Sequence, residues 1–243
     1  MNEDYQYDYD WDSKYCYPNS FTLINKLGIK DDETLNEAER KITAIRIYDL
    51  RLKPIRGIFD LKHLQAIHGY IFRDVYSWAG QLRTVNIAKG NQFCNCMYIE
   101  SGWKPIFDKL KGEDNYLIGT PADHIYEKLA YYLGEINVIH PFREGNGRTQ
   151  RVFIESLAQV AGFHVNFKSV TTAEMIEASA YAFDCNYGKM TDLFQRITTP
   201  IPMEEQENSI NNITPPGSDF INLIHFQTMR EPEQEEEPEM SLD

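Results

Sequence analysis

The stretch His140-Pro-Phe-Arg-Glu-Gly-Asn-Gly-Arg148, followed by Thr149-Gln150-Arg151, decides how the rest of the chain is interpreted. Glycines inside it lack a Cβ atom, so the backbone can adopt positive φ and bring its N–H groups close to a ligand. Apolar residues then recur at helical spacing, which predicts a helix from about Asn146 to Ala161. A glycine turn at a helix N-terminus with flanking arginines predicts an anion site, most often for phosphate. The residues expected to hold phosphate oxygens are Gly145, Asn146 and Gly147.

The charged residues of the same stretch predict chemistry on a phosphorylated ligand. Glu144 is a single carboxylate at the turn and suits Mg²⁺, which prefers oxygen ligands, keeps several waters and bridges phosphates. His140 is neutral at pH 7 if its pKa is unperturbed, so it can accept a proton from a hydroxyl nucleophile. Arg148 and Arg151 share one helix face, where they would neutralise the outer phosphates, and Arg143 flanks the same anion site.

A structural alternative has to be weighed for this stretch. A lone His-Pro before a glycine turn is most often a loop that leads into a helix cap. Such a turn needs neither Glu144 nor two arginines three residues apart, and this favours a functional site. Spacing alone leaves open which phosphate is attacked and which nucleotide is bound.

Residues His140 to Arg148 resemble the signature of the Fic-domain family, His-Pro-Phe-x-Asp/Glu-Gly-Asn-Gly-Arg/Lys, at every fixed position. The similarity extends from about Tyr15 to Ile197 and leaves the residues after Ile197 uncovered. It includes four further short matches in the sequence, which are Tyr17-Pro18, Asn25-Lys-Leu-Gly28, Asp74-Val-Tyr-Ser-Trp-Ala-Gly80 and Arg83-Thr84.

The resemblance implies an all-α bundle around a central helix and a protein adenylyltransferase activity. His140 would activate a Tyr, Thr or Ser hydroxyl of a target protein, and this hydroxyl would attack the α-phosphate of ATP. The products would be AMP–protein and pyrophosphate, with Mg²⁺ assisting. Two other functions stay open: a related transferase that uses another nucleotide or diphosphate donor, and a non-catalytic binding module.

The resemblance also predicts how the activity is restrained. Many members of the family carry an inhibitory helix, Ser/Thr-x-x-x-Glu-Gly/Asn, whose Glu pairs with the second arginine of the signature, here Arg148. No Ser or Thr in this sequence is followed by Glu four residues later, and Thr34 is followed there by Ala38. The chain therefore resembles the class silenced by a small, separate antitoxin-like protein, which we expect to contact Arg148. A bacterial toxin and an effector delivered into a host cell would share these residues.

A β-hairpin is predicted between Gln81 and Ile99, the one stretch where alternation exceeds helical periodicity. Strands at Thr84–Ile87 and Phe93–Ile99 are expected to pair around a turn at Lys89–Gln92. A single hairpin is marginal alone and must lie against the body. The resemblance implies that this hairpin is a flap over the active site, with Lys89 and Gly90 near the nucleotide.

Elsewhere the periodicity predicts helices and few other elements. The predicted helices are Glu33–Leu52, a segment capped by Asp60, Ser101–Lys111, a segment starting at Thr120-Pro121, Thr172–Ala182 and Tyr187–Arg196. The first helix is expected to face the core with Leu35, Ala38, Ile42, Ile45 and Tyr48. His63 and His68 are expected to be ordinary core or surface residues.

Composition divides the chain of 243 residues into three parts. We predict an acidic, Tyr-rich segment at residues 1–14, a Fic domain at residues 15–200 and an acidic, disordered tail at residues 201–243. Residues 201–243 carry a net charge of −10 out of −13 for the whole chain. Inside the tail, the apolar stretch Phe220–Phe226 is expected to dock on the body, bind a partner or serve as an export signal.

Charge and cysteine content restrict the partners and the cellular compartment that we expect for the protein. The nearly balanced body has no basic stripe, which argues against a nucleic-acid partner. No run of 18 apolar residues exists, so no membrane helix is expected. The acidic start lacks the features of a signal peptide, and four cysteines in a chain of this length are typical of reduced thiols, so we expect a cytoplasmic protein.

Overall fold

The computed structural model describes residues 14–228, with side chains described to residue 224. Of the predicted N-terminal segment only Lys14 falls within this range. Residues 14–31 form an arm of turns with one isolated bridge between Cys16 and Leu23, and the arm contributes the buried Tyr15 to the body. Within residues 14–228 the helices are α1 (Asp32–Leu52), α2 (Leu61–Phe72), α3 (Ile99–Gly112), α4 (Ile125–Ile139), α5 (Asn146–Val160), α6 (Thr172–Phe183), α7 (Gly188–Ile197), α8 (Met203–Ile213) and α9 (Phe220–Thr228).

Local signals explain most helix ends. The Asp60 side chain accepts a hydrogen bond from the His63 N–H at the start of α2, which confirms the predicted cap. Thr171 and Glu174 form a reciprocal capping box at the start of α6. At the end of α5, Gly162 adopts a φ of +93°, a conformation that favours glycine, and the helix ends at Val160, one residue before the predicted end.

The core is built around α5, which packs against α2, α4 and α8. Its buried apolar residues are Val152, Phe153, Ile154, Leu157, Ala158 and Val160. Helices α6 and α7 pack on α4 and close the other side of the body. The predicted all-α bundle around a central helix is therefore confirmed.

Two small antiparallel sheets accompany the helices in the described part of the chain. Strands β1 (Ala88–Lys89) and β2 (Asn91–Gln92) pair around Gly90, and strands β3 (Phe163–Val165) and β4 (Thr198–Pro200) join the end of α5 to the segment after α7. The sheet of β3 and β4 was not predicted.

The hairpin is much shorter than predicted, because side chains satisfy the backbone groups that longer strands would pair. The Phe93 N–H still bonds to the Ile87 carbonyl. Beyond that point the Asn86 side chain accepts from the Cys96 N–H, and the Arg83 guanidinium binds the carbonyls of Val85 and Cys94. The expected strands at Thr84–Ile87 and Phe93–Ile99 do not form.

The bounds of α1 agree with prediction, and of its predicted inward face Leu35 is buried and Ile42 packs against the core, but Ile45 and Tyr48 were predicted wrongly. Ile45 and Tyr48 are 63% and 61% exposed. The inward residues of α1 are Leu35, Glu39, Thr43 and Leu50. Two of these side chains, Glu39 and Thr43, are polar and face inward because the partly buried Arg148 of α5 binds both of them.

The start of α4 was also predicted wrongly. The helix begins at Ile125, and the segment from Pro121 to His124 forms a turn in which Pro121 O accepts from His124 N. Before that turn, Asn115, Tyr116 and Leu117 all have positive φ, so the chain reaches α4 through a tight left-handed bend. A proline at the first helical position was therefore the wrong interpretation of this segment.

The predicted disorder after residue 200 is wrong for α8 and α9. Ile210 and Ile213 of α8 are buried, and so are Phe220 and Ile224 of α9. The Phe220 ring lies 4.3 Å from that of Tyr116. The acidic residues of α8 lie on its exposed side. Its apolar side can therefore pack on the body although the average composition of the segment is acidic. Among the three alternatives for Phe220–Phe226, docking on the body is confirmed.

Candidate active site

His140 is held at the end of α4 in an unusual backbone conformation. Its φ of 46° and ψ of 60° lie in the left-handed region, which a non-glycine residue adopts only when its surroundings require it. Its N–H closes the last turn of α4 on the Ile136 carbonyl at 3.1 Å. The left-handed cap reverses the chain, so that the loop from Pro141 to Gly145 leads directly into α5.

The His140 ring is oriented as a base. Its Nδ1 lies 3.1 Å from the Asn137 carbonyl, and since a carbonyl only accepts, Nδ1 carries the proton and Nε2 is the acceptor. The Phe93 ring stacks on the imidazole at 3.7 Å. Burial lowers the pKa of His140 to about 3, and the positive charges of Arg83 and Lys89 act in the same direction, against the Asn137 hydrogen bond. The imidazole is therefore neutral at pH 7.

The N-terminus of α5 supplies a set of backbone donors. Gly145, with φ of +81°, precedes the helix, and its N–H is bonded to the Glu144 carboxylate at 2.8 Å. Among the described residues no side chain caps the start of α5, and the first N–H groups of any α-helix have no partner within the helix. A Cβ on Gly145 would meet the Phe72 ring at 2.1 Å, so only glycine allows this close approach.

Asn146 contributes differently from the prediction. Its amide donates to the Phe142 carbonyl at 2.7 Å and accepts from the Phe142 N–H at 2.9 Å, so both ends of the side chain hold the loop closed. The side chain is buried. Any contact of Asn146 with a phosphate would therefore involve its backbone.

A cavity of about 430 Å³ joins these groups. This volume lies in the range of small-molecule sites. One wall is the hairpin, the floor is the loop with the start of α5, and the opposite wall is mainly α6. The lining residues include Lys89, Asn91, Phe93, Asn137, His140, Glu144, Gly145, Asn146, Gly147, Gln150, Arg151, Met175, Ile176, Ser179 and Phe183.

The three predicted arginines lie in three different environments. Arg151 lines the cavity and forms no ion pair among residues 14–228. Burial lowers the pKa of Arg151, with the charge of Arg148 adding to the effect, so an incoming anion would be stabilised there. Arg143 is buried beside Cys16 and the Tyr15 ring, away from the cavity. Because its guanidinium lies behind the loop, we remove Arg143 from the predicted phosphate site.

Arg148 does not line the cavity and has an internal carboxylate partner. Its Nη2 lies 2.5 Å from Glu39 Oε1 and 3.4 Å from Glu144 Oε1, and its Nη1 donates to Thr43 at 3.1 Å. The second oxygen of Glu39 accepts from the Tyr76 hydroxyl. Arg148 thus joins α1 to the Glu144 carboxylate. This contact explains why Glu39 and Thr43 of α1 face inward.

The hairpin brings Lys89 to the cavity as predicted. Burial lowers the pKa of Lys89, and Glu144 across the cavity opposes that shift. Gly90, with φ of +76°, forms the turn between β1 and β2 and is followed by the lining residue Asn91. The space around Gly90 is open, with no neighbouring atom within 4 Å of a Cβ at that position.

Glu144 is placed where a cation beside phosphates would need it. The side chain is 29% exposed and lines the cavity. No cluster of three or more His, Cys, Asp or Glu side chains that could enclose a metal occurs in the described chain. A single carboxylate fits Mg²⁺ held mainly by water and phosphate oxygens, and does not fit a metal caged by protein alone.

Four residues of the site could not be assigned from the sequence. Phe93 and Asn137 orient the His140 ring, and Arg83 binds the backbone around it. His68 is fully buried, accepts from the Gly80 N–H at Nδ1 and donates from Nε2 to the Glu144 carbonyl at 3.0 Å. A contact between distant segments creates the roles of Phe93, Arg83 and His68. The role of Asn137 depends on the left-handed end of α4, three residues further along the chain.

Neither a membrane span nor a disulfide accompanies this site in the described chain. No helix there is long and apolar enough to cross a membrane. None of Cys16, Cys94, Cys96 and Cys185 forms a disulfide in the described chain.

Comparisons with known proteins agree on one family. The Fic/DOC family matches residues 58–158. The chain is 40% identical over 186 residues to "Protein adenylyltransferase VbhT" of Bartonella schoenbuchensis, covering 76% of this chain and 39% of that protein. It is 37% identical over 198 residues to "Probable protein adenylyltransferase Fic" of Escherichia coli, covering 80% of this chain and 94% of that protein.

Solved structures show the same fold. An N-terminal Fic domain of a VirB-translocated Bep effector from Bartonella quintana, with bound ADP, has a TM-score of 0.73 at 35% identity and covers 77% of this chain and 95% of its own. The BepC protein of Bartonella tribocorum, with bound AMPPNP, has a TM-score of 0.74 at 31% identity and covers 80% of this chain and 100% of its own.

Proposed function

This chain belongs to the Fic/DOC family, and from that premise we propose that it is a protein adenylyltransferase that moves AMP from ATP to a hydroxyl of a target protein. The single observation that carries the proposal is that the acceptor nitrogen of His140 and the N-terminus of α5 face one cavity. The relatives named protein adenylyltransferases and the structural neighbours with bound ADP and AMPPNP support the same activity.

The reaction follows from the placement of these groups. Nε2 of His140 accepts the proton of the target hydroxyl, whose oxygen forms a bond to the α-phosphorus of ATP. The bond from the α-phosphorus to the bridging oxygen breaks, and pyrophosphate leaves with that electron pair. The N–H groups of α5 and the Arg151 guanidinium neutralise the phosphates, while Lys89 approaches from the hairpin. Positioning and charge neutralisation supply most of the rate enhancement.

Glu144 is the residue that would hold Mg²⁺. Bound there, Mg²⁺ would neutralise charge on the phosphate oxygens. The Glu144 carboxylate is fixed for this role by the Gly145 N–H and by Arg148, and the Glu144 carbonyl is fixed by His68. These contacts hold the carboxylate at the cavity.

The hairpin supplies the surface for the target. The turn and second strand of the hairpin, Gly90 to Gln92, are exposed, and an extended target segment can pair with the backbone there. The acceptor would be a Tyr, Thr or Ser hydroxyl that reaches His140 past the Phe93 ring. Four cysteines that form no disulfide in the described chain support a cytoplasmic site of action, in the producing cell or in a host cell.

The expected regulator is a small antitoxin-like protein that inserts a glutamate beside Arg148. Glu39 already occupies that guanidinium, so the inserted carboxylate would share Arg148 with Glu39 and reach the cavity next to Arg151. There it would occupy the place proposed for the outer phosphates. Co-expression of such a small protein should suppress AMP transfer, and Arg151→Gln should weaken its capture.

Mass spectrometry of the purified protein with Mg²⁺ and ATP tests the activity. Wild type should add one adenylyl group to itself or to a lysate protein, and His140→Ala should add none while binding ATP normally. Transfer from another nucleotide or diphosphate donor in place of ATP would select the alternative transferase. Absence of any nucleotide binding would select the non-catalytic binding module.

A further inference from the structure

Arg83 is a buried cation whose hydrogen bonds all go to backbone carbonyls. The residue is 2% exposed, and among residues 14–228 it has no carboxylate partner. Its Nε donates to the His140 carbonyl at 2.8 Å, and its Nη1 donates to the Val85 carbonyl at 2.7 Å. Its Nη2 donates to the carbonyls of Cys94 and Ile139. Burying a charge in this way is costly unless its donors are satisfied, and here the backbone satisfies them.

The four carbonyls belong to two different parts of the site. His140 and Ile139 end α4 and carry the base, and the Arg83 N–H adds a further bond to the next carbonyl, that of Pro141, at 2.9 Å. Val85 and Cys94 flank the hairpin that forms the cavity mouth. One guanidinium therefore connects the segment that holds the base with the segment that would receive the target.

We propose that Arg83 is a positioning residue that couples the hairpin to His140, so that the target surface and the base keep one fixed geometry. This inference rests on the proposed adenylyl transfer, and it explains how the base and the target surface of that site keep a fixed relative position. Arg83 itself lines no part of the cavity and acts only through the backbone it holds.

The left-handed conformation of His140 is where this coupling matters most. Positive φ in a non-glycine residue persists only if neighbouring contacts impose it. The Arg83 bond to the His140 carbonyl fixes the peptide plane that follows, and the Ile136 bond fixes the one before. Loss of the first contact allows the imidazole to move relative to the hairpin, and a displacement of about 1 Å can lower a rate by about 100-fold.

Only arginine satisfies all four carbonyls. Its planar fork carries five N–H donors in fixed directions, whereas lysine has three donors on one atom and glutamine has two. Arg83→Lys keeps the charge and loses the fork, and Arg83→Gln loses both. Comparison of the two variants therefore separates geometry from charge.

The first test measures AMP transfer and ATP affinity for both variants. We expect Arg83→Lys to lower the transfer rate by about 100-fold and to keep ATP affinity within about threefold, because the α5 anion site is untouched. Arg56→Lys is the matched control, since Arg56 also binds two backbone carbonyls, those of Asn211 and Asn212, far from the cavity. This control should leave both quantities unchanged. An unchanged rate in Arg83→Lys, or a parallel loss of ATP binding, would overturn the proposal.

The second test does not depend on any reaction, so it separates failure of this inference from failure of the proposed activity. Ring NMR of His140 should show a changed Nδ1 environment in Arg83→Lys, and a higher pKa in Arg83→Gln, where a neighbouring positive charge is lost. A change of the Nδ1 signal in Arg56→Lys of the same size would overturn the assignment.

The main readout of the third test comes from the unmodified protein, so it does not depend on how a variant folds. Native-state amide exchange should show that the Cys94 N–H, bonded to the Val138 carbonyl, and the Arg83 N–H, bonded to the Pro141 carbonyl, open together with the same denaturant dependence. Asn86→Ala should loosen the hairpin at Cys96 and leave the Arg83 amide protected. Independent opening of the two amides in wild type would refute the coupling.

Discussion

Replacement of Glu39 by Gln tests the network of hydrogen bonds and ion pairs that joins α1 to Arg148 and to the loop from Pro141 to Gly145. Glu39 is buried, and one of its oxygens receives Arg148 while the other receives the Tyr76 hydroxyl. The Arg148 side chain keeps 23% exposure, and the Glu39 side chain keeps 6%. Loss of one partner from a buried ion pair costs about 3 to 5 kcal/mol, and the residual exposure of Arg148 reduces this to about 2 to 3 kcal/mol.

The assay is urea unfolding of four proteins: wild type, Glu39→Gln, Arg148→Gln and the double variant. The coupling energy between the two sites should be about 2 kcal/mol. For a domain of this size, Glu39→Gln should lower Tm by about 4 to 10 °C. Glu37→Gln is the matched control two residues away, since Glu37 pairs with Lys41 on the exposed face and should leave the midpoint unchanged.

A coupling energy below about 0.5 kcal/mol would show that the two charges act independently, and the reasoning would then be wrong. A loss of stability in Glu37→Gln equal to that in Glu39→Gln would refute it as well. Such a result would place the effect in helix propensity or in the overall charge of α1.

The remaining predictions concern the loop, its histidines and α9. Gly145→Ala should lose about 2 to 5 kcal/mol of stability, from positive-φ strain and the clash with Phe72, together with ATP binding measured by calorimetry; normal ATP affinity would contradict this. Because burial lowers the pKa of His140 to about 3, AMP transfer should stay constant as pH falls from about 8 to 5, and an acid limb near pH 6.5 would contradict it. Burial likewise lowers the pKa of His68 to about 3, so between about pH 6.5 and 3 the unfolded chain binds a proton at this imidazole that the folded chain does not. Through this proton the free energy of unfolding should fall by about 1.4 kcal/mol for each unit by which the pH is lowered in that range. His68→Gln should make the pH dependence of stability shallower in acid unfolding. Phe220→Ala should cost about 3 kcal/mol in urea unfolding and leave AMP transfer unchanged, and a midpoint equal to wild type would show that α9 is not docked.

Helix existence was predictable where a local signal and an apolar period coincide. The Asp60 cap, the Gly162 stop and the position of α5 each depend on residues within one or two turns of one another. The predictions failed where a distant group decided the outcome. The inward face of α1 depends on Arg148 of α5, more than a hundred residues away, and no periodicity in α1 reports that contact.

The acidic tail, residues 201–243, shows the same limit of prediction from sequence, because here a helix was predicted to be disordered. Its acidic composition predicted disorder, yet α8 and α9 contribute Ile210 and Phe220 to the core. Composition averages over both faces of a helix, whereas burial depends on which face meets an apolar surface. That surface is provided by α5 and by the left-handed bend at Tyr116, and neither is visible from the tail itself.

The sequence alone predicted the family, an anion site at the start of α5 and His140 as the candidate base, because these predictions depend on contiguous residues. Tertiary structure alone decided which arginine faces the cavity, which tautomer His140 adopts and what holds the base to the hairpin. Arg151 faces the cavity, Arg148 pairs with Glu39, and Arg143 lies behind the loop. The physical reason is that the sequence specifies the charge of a side chain, whereas the packing of distant segments determines which group that side chain contacts.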